Sequence, residues 1–278
     1  MAIITISRGT MSGGEALASR VSEKLGWPAV SREVVTEAAE QFGVSEKEMS
    51  ENLRRNPGFF GKGSIDRWLY LTALRSALVE RATRGSFIYH GLAGHLLLKG
   101  VPGVLKVRLI APLEFRLKML RVKDGVTREA ALAQIERVDR ERRDWTRFLY
   151  DVDWTDPSIY DVVFNLISLT IEDVADAVCV AVRAPAFADT PECRQLFGQC
   201  SLACKVKAAL VRNPHTRGLG LEAEVAGTKA RITGTVPTGG IFGPHLETAR
   251  REIAELARSV PGVSSVEVDL TESYVPVD

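Results

Sequence analysis

Several things are scarce in this sequence. Its 278 residues include four cysteines, Cys179, Cys193, Cys200 and Cys204. That is too few for a disulfide framework in a chain of this size, so reduced thiols in a cytoplasm are expected. Cys193, Cys200 and Cys204 could be read as three metal ligands. No CxxC pair supports that reading, so buried or incidental thiols are expected and no metal site is assigned. Net charge is nearly absent: the formal balance is +1, which gives no global reason to expect nucleic acid or an anionic membrane as a partner. Anion binding must therefore come from local clusters. No apolar run approaches the ~20 residues that span a bilayer, and no basic segment precedes a long apolar one, so no secretory leader is expected.

What is present is an ordinary soluble composition, 45% hydrophobic and 26% charged, long enough for one large or two smaller domains. From Ala2 to Arg183 helical and strand patterns alternate. "AIITI" reads as a strand, Gly13 to Leu25 as a helix, and "SREVVTEAAEQFG" as a second helix with Ser31 as N-cap and Gly43 as stop. Ile65 to Arg84 is a longer helix, and "SFIYHG" and "VLKVRLIAP" are buried strands. "LEFRLKMLRVKDG" is a helix, "TREAALAQIERVDRERRDWTRFLYD" a charged helical pair, "YDVVFNL" a strand and "TIEDVADAVCVAV" a helix. Strands separated by helices imply a parallel sheet covered on both faces, with ligands bound at the carboxyl ends of its strands.

Residues 184–200, rich in proline and small side chains, read as a linker. Beyond it comes a helix, two short strands around Ala226-Gly227, a helix and a last strand, "VSSVEVDL", an α-β-β-α-β order.

The turn Gly9-Thr-Met-Ser-Gly-Gly14 keeps the G-x-x-x-x-G frame of a phosphate-binding loop. Such a loop works by aiming backbone N–H groups inward at the positive end of a helix, which depends on glycine and not on lysine. The next two positions, where lysine and a hydroxyl residue normally stand, are Glu15 and Ala16. On this frame alone, a ligand-free glycine turn is as well supported as a phosphate site. Phosphoryl transfer also needs cations around the transferred group, and a lid can supply them. Arg137, Arg140, Arg142, Arg143 and Arg147 crowd one segment between two strands, where a lid would be inserted; the plainer reading is a solvated face paired with Glu136, Asp139, Glu141 and Asp144.

"IITISR…SGG…A", "FIYHGLAGHLLL", "VRLIAPLEFRL" and "DRERRDWTRFLYDVDWTDPSIYDVVFN" occur in this order. Over about Ala2 to Val182 the chain thereby resembles the cytidylate-kinase-like family, a branch of the P-loop nucleoside monophosphate kinases. The resemblance implies a three-layer α/β P-loop kinase fold with a helical lid. It also implies ATP with Mg²⁺ as donor and a nucleotide or small phosphorylated acceptor. Carried over by position, Gly9, Ser12, Gly13 and Gly14 would hold donor phosphates, with Arg8 and Glu15 beside them. Arg140, Arg142 and Arg143 would be catalytic lid arginines, and Arg116 would face the site or the lid. His90 and His95 would either face the site or pack against the sheet. Asp66, Asp156 and Asp161 would serve magnesium, the acceptor or a cap. Two departures stand out: the family commonly has arginine at Glu15, giving a degenerate Walker A motif here, and arginine at Leu92. Glu15 would meet phosphate repulsively or point outward and favour the helix dipole.

Residues 201–271 resemble a BON domain through "VKAALVRNP", "LEAEVAGTKARITGTVPT" and "ARREIAELARSVPGVSSVEVDL", with Gly234 and Pro261 to Val263 as signature positions. This implies a small non-enzymatic module. Such modules are linked to membrane-surface or ligand binding. With no secretion signal and little net charge, a cytoplasmic sensing, protein-partner or homo-oligomerisation role is favoured here over a membrane one, and no nucleic acid is expected. Arg250, Arg251 and Arg258, interleaved with Glu247, Glu252 and Glu255, form a solvated face or an anion site.

Overall fold

The computed structural model describes residues 1–47, 49, 63–91, 93–238 and 246–274. By internal contacts the chain forms two compact units. The first comprises Met1–Val34 and Ala82–Thr190; the second gathers most of the second helix, the third helix and everything described from Pro191 on.

The first unit is built on five parallel strands: β1 (Ile3–Arg8), β2 (Ala29–Val30), β3 (Phe87–Tyr89), β4 (Val104–Ile110) and β5 (Val162–Asn165), in the order β2-β3-β1-β4-β5. β1 is central because Ile3, Ile4 and Ile6 are buried on both faces, as a doubly covered parallel strand requires. Full burial of such a side chain contributes about 1.5–3 kcal/mol. Helices α1 (Gly14–Leu25) and, later in the chain, α7 (Ile171–Ala181) cover one face; Leu17, Ala18, Val21, Val174 and Val178 meet Ile4, Ile6, Val107 and Leu109 there. The short α4 (Gly94–Leu97) follows β3, and α5 (Leu113–Asp124) and α6 (Arg128–Tyr150) follow β4.

The expected helical pair in the charged segment is one helix of 23 residues. Neither glycine nor proline interrupts Arg128 to Tyr150, Thr127 caps its start through the Ala130 amide, and Asp151 ends it in the left-handed region at φ 51. Leu117 and Leu120 of α5 pack on Ala131 and Ile135 of α6, with Met11 set against them.

In the second unit, α2 (Glu33–Phe42) and α3 (Gly63–Thr83) are joined by an Arg81–Glu37 ion pair. Ser31 does not cap α2; its own amide donates to the Glu33 carboxylate. The stretch read as a linker holds a 3₁₀ turn, Pro185–Phe187, and then the start of α8 (Pro191–Arg212), which runs on without a break. α8, β6 (Glu222–Ala226), β7 (Lys229–Thr238), α9 (Leu246–Arg258) and β8 (Ser265–Tyr274) follow in the expected α-β-β-α-β order. β6 and β7 pair antiparallel and β7 and β8 parallel, over a core of Val206, Leu210, Ile232, Val236 and Ile253. A Cβ at Gly234 would stand 2.7 Å from Leu221 Cδ2 and 3.2 Å from Leu221 Cα, so a larger residue there would force Leu221 to shift. Arg212 lies 4.2 Å above the Phe42 ring and donates to the Gln41 carbonyl, which joins α8 to α2. Among the described residues, no helix is long and apolar enough to cross a membrane.

Candidate active site

β1 delivers the turn Gly9–Gly14 to the carboxyl edge of the sheet, where β1 lies between β3 and β4. This is the switch point at which open α/β sheets bind ligands. The turn is held in an unusual shape. Met11 has φ 60 and Gly13 φ 85, and Ser12 N–H donates to the Gly9 carbonyl at 3.2 Å. A non-glycine residue at positive φ is costly and persists only where its surroundings enforce it. Here the Met11 side chain is anchored in the α5–α6 core.

Thr10 is gripped from both sides. Its N–H and Oγ1–H donate to Asp139 Oδ1 at 3.0 and 2.8 Å, and its carbonyl accepts from Arg116 Nε at 2.7 Å. Arg116 and Asp139 also form an ion pair with each other, and Arg142 Nη1 lies 3.6 Å from Asp139 and donates to the Arg8 carbonyl at 3.0 Å. Asp139 and Arg142, three apart on α6, share its inner face with Thr146. Lid helix, phosphate-type turn and the start of α5 thus form one charged lattice centred on Asp139.

The donors this lattice leaves over define the site. The amides of Gly13, Gly14, Glu15 and Ala16, as the first turn of a helix predicts, and that of Met11 in the turn before it, find no acceptor among the described residues. Ser12 Oγ is buried without a partner. Gly9 keeps this space open, since a Cβ there would lie 3.0 Å from Ser12 Oγ and 3.2 Å from Arg116 Cζ. Gly14 admits Arg8, whose Cδ would stand 2.6 Å from an added Cβ. Burial, and then Arg142, hold the Arg8 guanidinium down to about 10, still cationic at neutral pH. Burial also lowers Arg142, against the pull of Asp139.

Glu15 is exposed in the first turn of α1, where its charge favours the helix dipole. It is still close enough to act electrostatically on Arg8 and His90. His90, at the end of β3, has a buried Nδ1 without a partner, and burial and Arg8 lower its pKa. Of the other lid arginines, Arg140 lies on the outward face of α6 with Glu136, Arg137 and Asp144. Arg143 is exposed and acts on Asp153. Gly91 and Gly94 serve packing, because a Cβ at either would collide with the buried Tyr89 ring.

Of the aspartates downstream, Asp153 and Asp156 hold local turns, and Asp161 ties the segment before β5 to β4. Asp153 accepts from the Thr155 amide and hydroxyl, Asp156 caps the 3₁₀ turn through Ser158 N–H, and Asp161 accepts from Lys106 N–H at 2.7 Å. His95 is packed, its ring centroid 4.7 Å from that of Tyr160. Leu92 and the side chain of Asp66 lie outside the described residues. Among the described residues, no group of three His, Cys, Asp or Glu side chains is placed to hold a metal ion.

Residues 3–167 match the model of the cytidylate kinase-like family. The chain belongs to that family. A cytidylate kinase of Ignicoccus hospitalis is 31% identical over 181 residues, covering 64% of this chain and 97% of that relative. One of Methanopyrus kandleri is 30% identical over 167 residues, covering 59% and 83%. Among solved structures, an uncharacterized protein from Eubacterium ventriosum shares the fold at 17% identity and a TM-score of 0.52, covering 66% of this chain and 99% of its own. The matched region contains the whole lattice around Asp139 and every amide of the turn. Asp139 is the residue that sequence reasoning missed. In the pattern it is one acid among many on a charged helix, and only its period with Arg142 and Thr146 sets it on the face toward the turn.

Proposed function

We propose that this protein transfers the terminal phosphoryl group of ATP to a nucleoside monophosphate of the cytidylate kind, or to a closely related small phosphorylated acceptor. The observation that carries the reading is the set of unmatched amides at Met11 and Gly13 to Ala16, flanked by Arg8, Arg116 and Arg142. Preorganised donors and cations of this kind stabilise the charge on a transferring phosphoryl group. The triphosphate fits them in charge and in donor number, with Ser12 Oγ as a further contact. Mg²⁺, when bound, neutralises charge on the phosphates; the hydroxyl that usually follows the loop is replaced by Ala16, so the phosphates and water would supply most of its ligands. In the reaction an oxygen of the acceptor phosphate forms a bond to the γ-phosphorus while the bond to ADP breaks, and ADP leaves. Arg142 of α6, which donates to the Arg8 carbonyl beside the turn, would hold that helix over this exchange.

The test is transfer from labelled ATP with Mg²⁺ to CMP, UMP, dCMP and AMP. Labelled diphosphate is expected from at least one; no transfer to any by folded protein contradicts the reading. Glu15 supports a second reading, a nucleotide-sensing regulator, because a carboxylate close to Arg8 offsets part of the cationic field. ATP binding without turnover would favour it, and turnover gained in Glu15→Arg would place the deficit at that side chain. The C-terminal unit is proposed to be a BON-like module that binds a ligand or protein partner in the cytoplasm; its element order supports this.

A further inference from the structure

The carboxyl edge of the parallel sheet carries a second cation, on the face away from α1. Successive residues of a strand alternate faces. Arg8 turns toward α1, where it lies against Gly14. Ser7 turns the other way, and with it Arg108, its paired residue on β4. Arg108 is only 8% exposed. Its Nη1 donates to the Trp154 carbonyl, and its Cζ stands 4.7 Å from the Trp154 ring centroid and 5.6 Å from that of Tyr160. The Tyr160 hydroxyl lies 3.0 Å from Ser7 Oγ and 3.2 Å from His95 Nε2 and donates to the Trp154 carbonyl at 2.8 Å.

Among the described residues, this cluster holds a positive charge without a paired opposite charge. No carboxylate among them pairs with Arg108. Asp153, whose charge is felt at Tyr160, is engaged by Thr155 and Arg147. Three of the cluster's buried polar atoms have no partner: Arg108 Nε, His95 Nδ1 and Trp154 Nε1. A buried charge without an opposite one costs several kcal/mol. Aromatic faces and one carbonyl offset only part of that cost. A guanidinium with free N–H donors matches a phosphate in fork geometry and charge.

We infer that Arg108, with Tyr160 and Ser7 beside it, binds the phosphate of a phosphate-monoester acceptor, across β1 from the turn that holds the donor. The inference rests on the phosphotransferase reading for the word acceptor, but the binding itself does not require turnover.

Calorimetry with CMP, UMP, dCMP, AMP and cytidine, on wild type, Arg108→Lys and Arg108→Gln, tests it, with ATP binding as the check on folding. At least one monophosphate is expected to bind wild type at least tenfold more tightly than cytidine. Arg108→Gln should weaken it 30-fold or more with ATP affinity within twofold, and Arg108→Lys should fall between. Should the variants fold poorly, the Arg108 Nε–H resonance of wild type gives the same answer, since it should shift on adding the monophosphate and not on adding cytidine. No monophosphate binding, equal binding of cytidine, variant affinities within threefold of wild type, or an unmoved resonance would overturn the inference. Arg108-dependent binding without transfer would sink the proposed activity and keep this site; transfer with Arg108-independent acceptor binding would do the reverse.

Discussion

The two sheets of this protein treat charge in opposite ways. On the outer face of β6-β7-β8, Lys229 pairs with Glu267 and Arg231 with Asp269, each one step diagonally across β7 and β8, and Thr235 meets Thr271 directly opposite. These groups are exposed and satisfied, and the face reads as solvated surface. At the carboxyl edge of β2-β3-β1-β4-β5 the cations are half-buried or buried, and donors remain in excess of acceptors around both Gly9–Gly14 and Arg108. Surplus donors in a sheltered place, and not charge as such, separate a site from a surface.

The sharpest way to break this comparison is to remove the one acid that organises the active edge. Asp139→Ala leaves Arg116 and Arg142 without their shared partner and frees Thr10. Stability should fall by about 3 kcal/mol, and transfer should fall at least 100-fold, measured by denaturant melts and the ATP assay. A loss no greater than that of a surface pair would erase the distinction.

A second effect comes through His95 and appears only in acid, with activity at neutral pH untouched. Burial holds its pKa at about 3 in the folded chain, against 6.5 for a free imidazole. Below pH 6.5 the unfolded chain therefore takes up a proton that the folded chain refuses. The contribution is intact above pH 6.5 and is lost as pH falls from 6.5 toward 3, by up to about 1.4 kcal/mol per pH unit. His95→Gln should flatten that part of the melting-temperature profile; an unchanged slope would show that His95 is not the cause.

The smallest effect belongs to the second sheet. Arg231→Ala should cost well under 1 kcal/mol, as exposed pairs do, and leave transfer unchanged. A larger loss in either would mean that this face is more than solvated surface.

The sequence foretold much of the fold for a physical reason. Continuous apolar strands such as Ile3–Ile6 and helical periods such as Leu17–Val21 are local signals, and the glycine turn is local too. The grip of Asp139 on Thr10 was not legible, because the two lie 129 positions apart and meet only when α6 packs against α5. Composition misled at 191–200: proline and small residues suggested a linker, yet Pro191 sits in the first turn of α8, where proline is tolerated. Arg108, embedded in "VLKVRLIAP", read as one residue of a buried strand. Its meaning appears only when Trp154 and Tyr160, from the block before β5, close over it.

The central claim is that the turn from Gly9 to Gly14 binds a nucleoside triphosphate although Glu15 and Ala16 replace the usual lysine and hydroxyl. Titration calorimetry of the full chain with ATP and Mg²⁺ measures this most directly. The account predicts saturable binding of one ATP per chain, weakened at least tenfold when Gly9→Val fills the space before Ser12 and Arg116. Absence of binding by the folded wild type, or affinity untouched by Gly9→Val, would contradict it.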